Sequence, residues 1–398
     1  MQNFSNSVPQ SRVYLDHNAT TPHSLILKSR WSELIEISGN PSSIHHDSRV
    51  PKTILRETRQ KISEILLCSP LEIIFNSGAS EGNSFVLRSV YEVFKASRNE
   101  FIISQVEHPS VQKTAAYLKS QGAVIHWIPV GKNGLIDINF IKEKLSDKTA
   151  LVSVMFANNE TGTLFPIREI SDLAHSRGAL MHSDCVQLLG KIEVNFKALN
   201  VDYATFSAHK FYSLKGTGFC YVRKNSPWVP LIHGGGQERG RRGGTENVIG
   251  IAALNIVLDE LKSAGSKIPE IQRLRNLMEE LIIQKLSSVS ITSQSSLRIG
   301  NTSSLIIDNI DGETLLMTLD LKGYSVSTGA ACSSGNPEPS PVLLAMGLTR
   351  EEAQSSLRVS LGWGTTENEI RLFVEVLTET VGKLREINLQ EKKKDYAI

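Results

Sequence analysis

The stretch "TALVSVMFANNETGTLFPIREISDLAHSRGALMHSD", residues 149–184, sets two apolar runs on either side of a longer helical pattern. "TALVSVMFA" and "GALMHSD" read as short strands, and "IREISDLAHSRG" reads as the helix that carries the chain from one to the other. Strand, helix, strand is the signature of parallel strands joined by a crossover. The same alternation runs outward through "EFIIS" (100–104), "DYATFS" (202–207) and "GTGFCYV" (216–222), which makes this part of the chain α/β. Beyond about residue 262 the texture changes. A long helical stretch, "IQRLRNLMEELIIQKL", precedes the strand-like pieces "SLIID", "YSVST" and "SLRVSLGW". A last helix follows the capping box Thr366-x-x-Glu369, with Ile370, Phe373, Val374, Leu377, Val381 and Leu384 along one face. This predicts a second, smaller α+β domain packed rigidly on the first, with a cleft between them as a place for a ligand.

The chain of 398 residues carries 43 Lys and Arg against 41 Asp and Glu, a formal charge of only +2, and its one long basic run is "KKK" near the end. That balance argues against nucleic acid as a direct partner. The beginning, "MQNFSNSVPQSR", has no apolar core of signal-peptide type, and no apolar run is long enough to cross a bilayer. The expectation is a soluble cytoplasmic protein with no membrane partner. Four cysteines, Cys68, Cys185, Cys220 and Cys332, show no C-x-x-C and no close cysteine–histidine spacing, so neither a metal site nor a disulfide framework is expected. Cys68 in "ILLCSP" and Cys220 in "GFCYV" have apolar neighbours and read as core. Cys332 differs: it sits in "STGAACSSGNPEPS", residues 327–340, among small and turn-forming residues that predict a mobile surface loop.

In an open α/β sheet, ligands collect at the carboxyl ends of the strands. Those positions are polar here: "NNETGT", "SDCVQ", "SAHK" and "NSGASEGN" each follow an apolar run. Lys210 of "SAHK" alone would read as a solvated surface group. Asp184 changes that reading, because a lysine and a carboxylate at neighbouring strand ends are what pyridoxal phosphate requires. The lysine bonds the cofactor covalently, and the acid keeps the pyridine nitrogen protonated so that the ring accepts electrons. "NSGASEGN" adds backbone N–H groups and the Ser80 hydroxyl at a predicted helix start, where a phosphate is stabilised.

Ten motifs, "VYLDHNATTP", "NPSSIH", "NSGASEGN", "VEHPSV", "NNETGT", "SDCVQ", "SAHK", "GGGQERGRRGGTEN", "STGAACSSG" and "SLRVSLG", resemble in this order those of the cysteine desulfurases. These are pyridoxal 5′-phosphate enzymes of the NifS/IscS type, in the class-V aminotransferase family. The resemblance runs from about residue 13 to at least residue 370. It implies the type I aminotransferase fold: a cofactor-binding large domain with a mostly parallel sheet, residues 16–262, and a smaller α+β domain made of residues 1–15 and 263–398 that carries the loop of Cys332. It also implies a homodimer with active sites shared across the interface. Carried over by position, Lys210 is the lysine bonded to the cofactor and Asp184 the partner of the pyridinium nitrogen. His108 lies over the ring, and Gln187 and Asn159 bond the phenolic oxygen and help orient the substrate. Ala79, Ser80, Ser207 and His209 form the phosphate cradle, with Thr245 reaching in from the other subunit. Arg358 grips the substrate carboxylate, a planar two-pronged fit that lysine cannot copy.

The implied reaction takes L-cysteine to L-alanine, with Lys210 moving the Cα proton and the Cys332 thiolate taking the sulfur as a persulfide. A thiol that attacks in the site and then delivers sulfur elsewhere needs a flexible tether, which Gly, Ala and Ser supply. The implied acceptor is a sulfur-receiving protein, an iron–sulfur scaffold or a tRNA-thiolation carrier. Cys185, beside Asp184, is expected to face the core. Three features depart from the family pattern: Ser213-Leu214 replace Gly-Pro after the lysine, Ser80 replaces threonine, and the tail "NLQEKKKDYAI" matches no motif. The alternatives are a selenocysteine lyase, another aminotransferase-like enzyme, which would need no loop thiol, and an inactive regulator of iron–sulfur assembly. Retention of Lys210, Asp184, His108, Cys332 and Arg358 argues against the last.

Overall fold

The computed structural model describes residues 12–329 and 338–395. Its centre is a seven-stranded sheet in the order Ile73–Asn76, Gly218–Val222, Tyr203–Ser207, Leu180–Asp184, Thr149–Ser153, Glu100–Ser104 and Val124–Ile128. The helix expected between the strands of the opening stretch spans Ile167–Ser176 and returns the chain to a parallel neighbour, with Leu151 opposite Leu180. One strand departs from the parallel expectation: Gly218–Val222 runs antiparallel to both of its neighbours. The cause is length, since only residues 208–217 separate it from the preceding strand, too few for a crossover. The edge strand Val124–Ile128, which the sequence reading passed over, is half-exposed and so lacks the continuous apolar run of its neighbours.

Alternation along the strands feeds two cores. Ile73, Phe75 and Ile102 face one side; Ile74, Phe101 and Ile103 face the other, where helices Ala79–Phe94 and Pro109–Ser120 pack with Val86, Val90 and Val111. A third cluster gathers Leu15 with Leu274, Met278, Leu305, Leu357, Phe373 and Leu377. It lies against the antiparallel sheet of Val289–Ile291, Thr302–Ile307 and Ser356–Ser360. The predicted capping box closes: Thr366 N donates to Glu369 Oε2 at 2.8 Å and Glu369 N to Thr366 Oγ1 at 3.3 Å. Ile370, Phe373, Val374, Leu377 and Val381 of helix Glu367–Asp395 are then fully buried. Strand Val13–Tyr14 pairs in parallel with Tyr324–Ser325, tying the beginning of the described chain to its last third. No helix among the described residues is long and apolar enough to cross a membrane.

Candidate functional site

Asp184 closes the strand Leu180–Asp184 and stands opposite Thr205 of the parallel neighbour. Both its oxygens accept hydrogen bonds, Oδ1 from Val186 N at 3.0 Å and Oδ2 from Asn83 Nδ2 at 2.8 Å, the pattern of a carboxylate held rigidly. The neighbouring strand ends at Ser207, and a single 3₁₀ turn, Ala208–Lys210, puts the lysine just beyond it. Lys210 Nζ reaches the carbonyls of Asn18 and Ala19, each at 2.7 Å. His209 is held by Thr20, Oγ1 to Nδ1 at 3.0 Å, and burial brings its imidazole down to about 4. The segment between strand Ile73–Asn76 and helix Ala79–Phe94 lies beside Ser207. Gly78 has φ +147°, and a Cβ there would stand 3.1 Å from Ser207 Oγ. A Cβ on Gly218 would stand 2.6 Å from Gly78 Cα, so bare backbone is required at both positions. Among the described residues no side chain caps this sixteen-residue helix, which leaves its first N–H groups for an anion.

His108 caps the helix Pro109–Ser120, its Nδ1 accepting from Ser110 N at 3.1 Å. Burial lowers its pKa, Asp184 acts in the opposite sense, and Lys210 lowers it further. Arg358 enters from strand Ser356–Ser360, buried, with Nη2 2.7 Å from Asp16 Oδ1 and Nη1 3.2 Å from the Asn159 carbonyl. Its Nε is buried without an acceptor among the described residues. Gln187 lies beneath Asn18, with Nε2 3.2 Å from the Asn18 carbonyl, and Lys191 Nζ bonds both Gln187 Oε1 and Asn18 Oδ1, the latter at 2.9 Å. Lys210, Lys191, Gln187, His209 and Arg358 thus converge on the N-terminal loop of residues 16–21. Ala79 and Ser207 are buried, whereas Ser80 is exposed at the helix start. Thr245 is exposed on the loop before helix Val248–Lys262. Cys332 lies outside the described residues.

Residues 13–373 match the family model "Aminotransferase class-V". The chain belongs to the class-V aminotransferases. It is 38% identical over 378 residues to "Cysteine desulfurase IscS" of Dictyoglomus turgidum, covering 94% of this chain and 96% of that one. It is 39% identical over 382 residues to "Cysteine desulfurase" of Cereibacter sphaeroides, covering 95% and 97%. Among solved structures, a "NIFS-LIKE PROTEIN" matches with TM-score 0.87 and 34% identity over 94% of this chain and 100% of that one. The class-V cofactor is pyridoxal 5′-phosphate, and the residues present fit it: a lysine, a carboxylate at the adjacent strand end, and an uncapped helix N-terminus approached by bare glycine backbone.

Several residues of this site escaped the sequence reading. Asp16 and Asn18 lie in "LDHNAT" and touch Arg358, Lys191 and Lys210, contacts that join positions up to 342 apart. Lys191 carried one usable signal, its place four residues after Gln187; burial pushes its pKa well down, and Lys210 adds to this. The turn at Ser213-Leu214 is built on Tyr212, whose φ is +70°. Tyr212 is fixed there by Thr21 Oγ1, which accepts its N–H at 2.6 Å, and by Trp363 stacked at 4.0 Å. Ser213 is buried, and its hydroxyl finds no acceptor among the described residues. Cys185 and Cys220 are buried thiols, with pKa values pushed up by burial. Cys68, expected in the core, is only half-buried, because it follows the left-handed cap Leu67 that ends helix Arg49–Leu66.

Proposed function

We propose that this chain is a cysteine desulfurase that converts L-cysteine to L-alanine and keeps the sulfur as a persulfide on Cys332. The observation that carries the reading is the pairing of Lys210 and Asp184 at neighbouring parallel strand ends, with His108 within electrostatic reach of both. Bound pyridoxal phosphate supplies an electron-accepting ring joined to the substrate amine. Asp184 faces the ring nitrogen; Ala79, Ser80, Ser207 and His209 hold the phosphate, with Thr245 of a second subunit. Gln187 and Asn159 orient the ring and the substrate. Arg358 receives the carboxylate, and its Nε, without an acceptor among the described residues, supplies a donor for one oxygen. Lys210 Nζ takes the Cα proton. Cys332 Sγ, as thiolate, bonds to the substrate sulfur as the Cβ–S bond breaks; that electron pair returns to the carbon skeleton, which takes up protons to become alanine.

In this reading residues 16–262 form the cofactor-binding domain and residues 1–15 with 263–398 the smaller one. The enzyme works as a cytoplasmic homodimer that passes sulfur to an iron–sulfur scaffold or tRNA-thiolation carrier. Cys332→Ser tests the reading. Added cysteine should still perturb the cofactor spectrum, while neither persulfide by mass spectrometry nor stoichiometric alanine accumulates. Normal alanine yield with a sulfur adduct on Cys68, Cys185 or Cys220 refutes the assignment.

A further inference from the structure

Asp184, assigned to the ring nitrogen, and His108, assigned to the ring face, are joined by a chain of hydrogen bonds in which Asn83 donates towards both ends. Asp184 Oδ2 only accepts, so the group 2.8 Å away must be the NH₂ of Asn83. Thr205 Oγ1 donates to Asn83 Oδ1 at 2.6 Å, which fixes the amide the same way round from its other end. The second hydrogen of the Asn83 amide points to Ser110 Oγ at 2.9 Å. Ser110 Oγ, having accepted, is free to donate, and it lies 2.8 Å from His108 Nδ1. The backbone N–H of Ser110 points at the same nitrogen from 3.1 Å. Two donors therefore converge on one lone pair, and the ring proton must sit on Nε2. Asn83 is fully buried in the first turns of helix Ala79–Phe94, where a polar side chain is retained only with its bonds satisfied.

We infer that Asn83 is a positioning residue that couples Asp184 to His108 and holds the imidazole as its Nε2–H tautomer. The inference rests on the site assignment above. In it, Asn83 clamps the carboxylate that faces the ring nitrogen and, through Ser110, presents an N–H rather than a lone pair from His108 to the site. Three charged features face the imidazole. Asp184 favours the cation, whereas Lys210 and the N-terminus of helix Pro109–Ser120 oppose it. Glu107, adjacent in sequence, is buried, and burial raises its pKa well above the usual carboxylate value. An imidazolium would have to turn a hydrogen on Nδ1 towards the Ser110 N–H, and the network disfavours it for that reason as well as for burial.

The test is ¹⁵N spectroscopy of the holoenzyme labelled at histidine, with the His108 signals assigned by their loss in His108→Gln. The expected wild-type result is a pyrrole-type Nε2 and a pyridine-type Nδ1. Ser110→Ala removes a donor to Nδ1 and leaves the fold-forming backbone bond. Asn83→Ala frees the Ser110 hydroxyl to accept instead of donate. In both, the His108 titration midpoint should rise by about half a pH unit to one pH unit, the worth of one hydrogen bond. Thr205→Val, which only releases the amide, should move it in the same direction by less. An Nδ1–H tautomer in the wild type, or an unmoved midpoint in Ser110→Ala, overturns the inference. Neither result touches the desulfurase reading, which stands or falls on persulfide and alanine; Ser110→Ala decides the matter if Asn83→Ala does not fold.

Discussion

Arg358 holds two hydrogen bonds before any substrate is considered, one to Asp16 and one to the Asn159 carbonyl. A substrate carboxylate must therefore share the guanidinium with Asp16, and Nε is the one of its three nitrogens with no acceptor among the described residues. Arg358→Ala removes a charge-assisted contact worth roughly 1.5–3 kcal/mol, a loss of about ten- to a hundredfold in cysteine affinity. Titration of the cofactor absorbance with cysteine measures it, and an unchanged midpoint assigns the carboxylate to another residue. Lys210→Ala should abolish turnover. After borohydride reduction and denaturation, the wild-type chain should carry the cofactor's mass at Lys210 and the variant should carry none. An adduct persisting in the variant would move the role to another lysine, Lys191 first. Lys210 and Asp184 were legible in the sequence because few residue types perform the chemistry proposed for them and each follows or ends an apolar run, whereas Arg358, inside strand Ser356–Ser360, entered only through the family resemblance. Asn83, Ser110 and Asp16 were not legible, since ordinary polar residues acquire a role only when folding brings Asn83 to Asp184 across 101 positions.

At the scale of elements, the strand positions of the sheet were readable because burial on both faces leaves continuous apolar runs. The direction of Gly218–Val222 was readable only by counting the residues that precede it. The loop after strand Thr149–Ser153 shows what pattern reading misses. There Glu160 accepts a hydrogen bond from Ser340 Oγ, at the start of helix Pro341–Ala345, and burial pushes its carboxyl up to about 7 from the usual 4.5. A folded-state pKa above the unfolded one means that the folded protein keeps a proton the unfolded chain releases. This contribution to stability is complete below about 4.5 and is lost as pH rises through about 7. Glu160→Gln keeps an acceptor for Ser340 and cannot ionise. Relative to wild type it should gain stability on going from pH 5 to pH 8, by about 3 kcal/mol at most, because each tenfold difference in proton affinity between the folded and unfolded chain is worth roughly 1.4 kcal/mol. Urea unfolding at the two pH values measures this. A difference between the proteins that stays constant with pH contradicts it.

At the scale of the molecule, the order of motifs along the chain carried the fold, while the proposed sharing of a site between two chains rests on the family resemblance and on nothing in periodicity or composition. The loop of Thr245 is firmly built. Arg59 bonds Glu238 through Nη2 at 2.7 Å and Nη1 at 3.0 Å, both groups buried, and Glu238 also accepts from Phe75 N at 2.9 Å. Farther along, Arg242 Nε pairs with Glu81 at 2.9 Å. Such a loop presents the exposed Thr245 at a fixed place on the surface, as a residue serving a second subunit would require. Thr245→Val should weaken cofactor binding about ten- to a hundredfold, the worth of one hydrogen bond to a charged phosphate. Mixed dimers decide whose phosphate it is. In a dimer pairing a Lys210→Ala chain with a Thr245→Val chain, service across the interface leaves one site with both defects and the other with none. At limiting pyridoxal phosphate that dimer should recover about half of the wild-type turnover, although each homodimer alone is impaired. If Thr245 served its own chain, one site would lack the lysine and the other the threonine. No activity would then return on mixing, and the shared-site reading would fail.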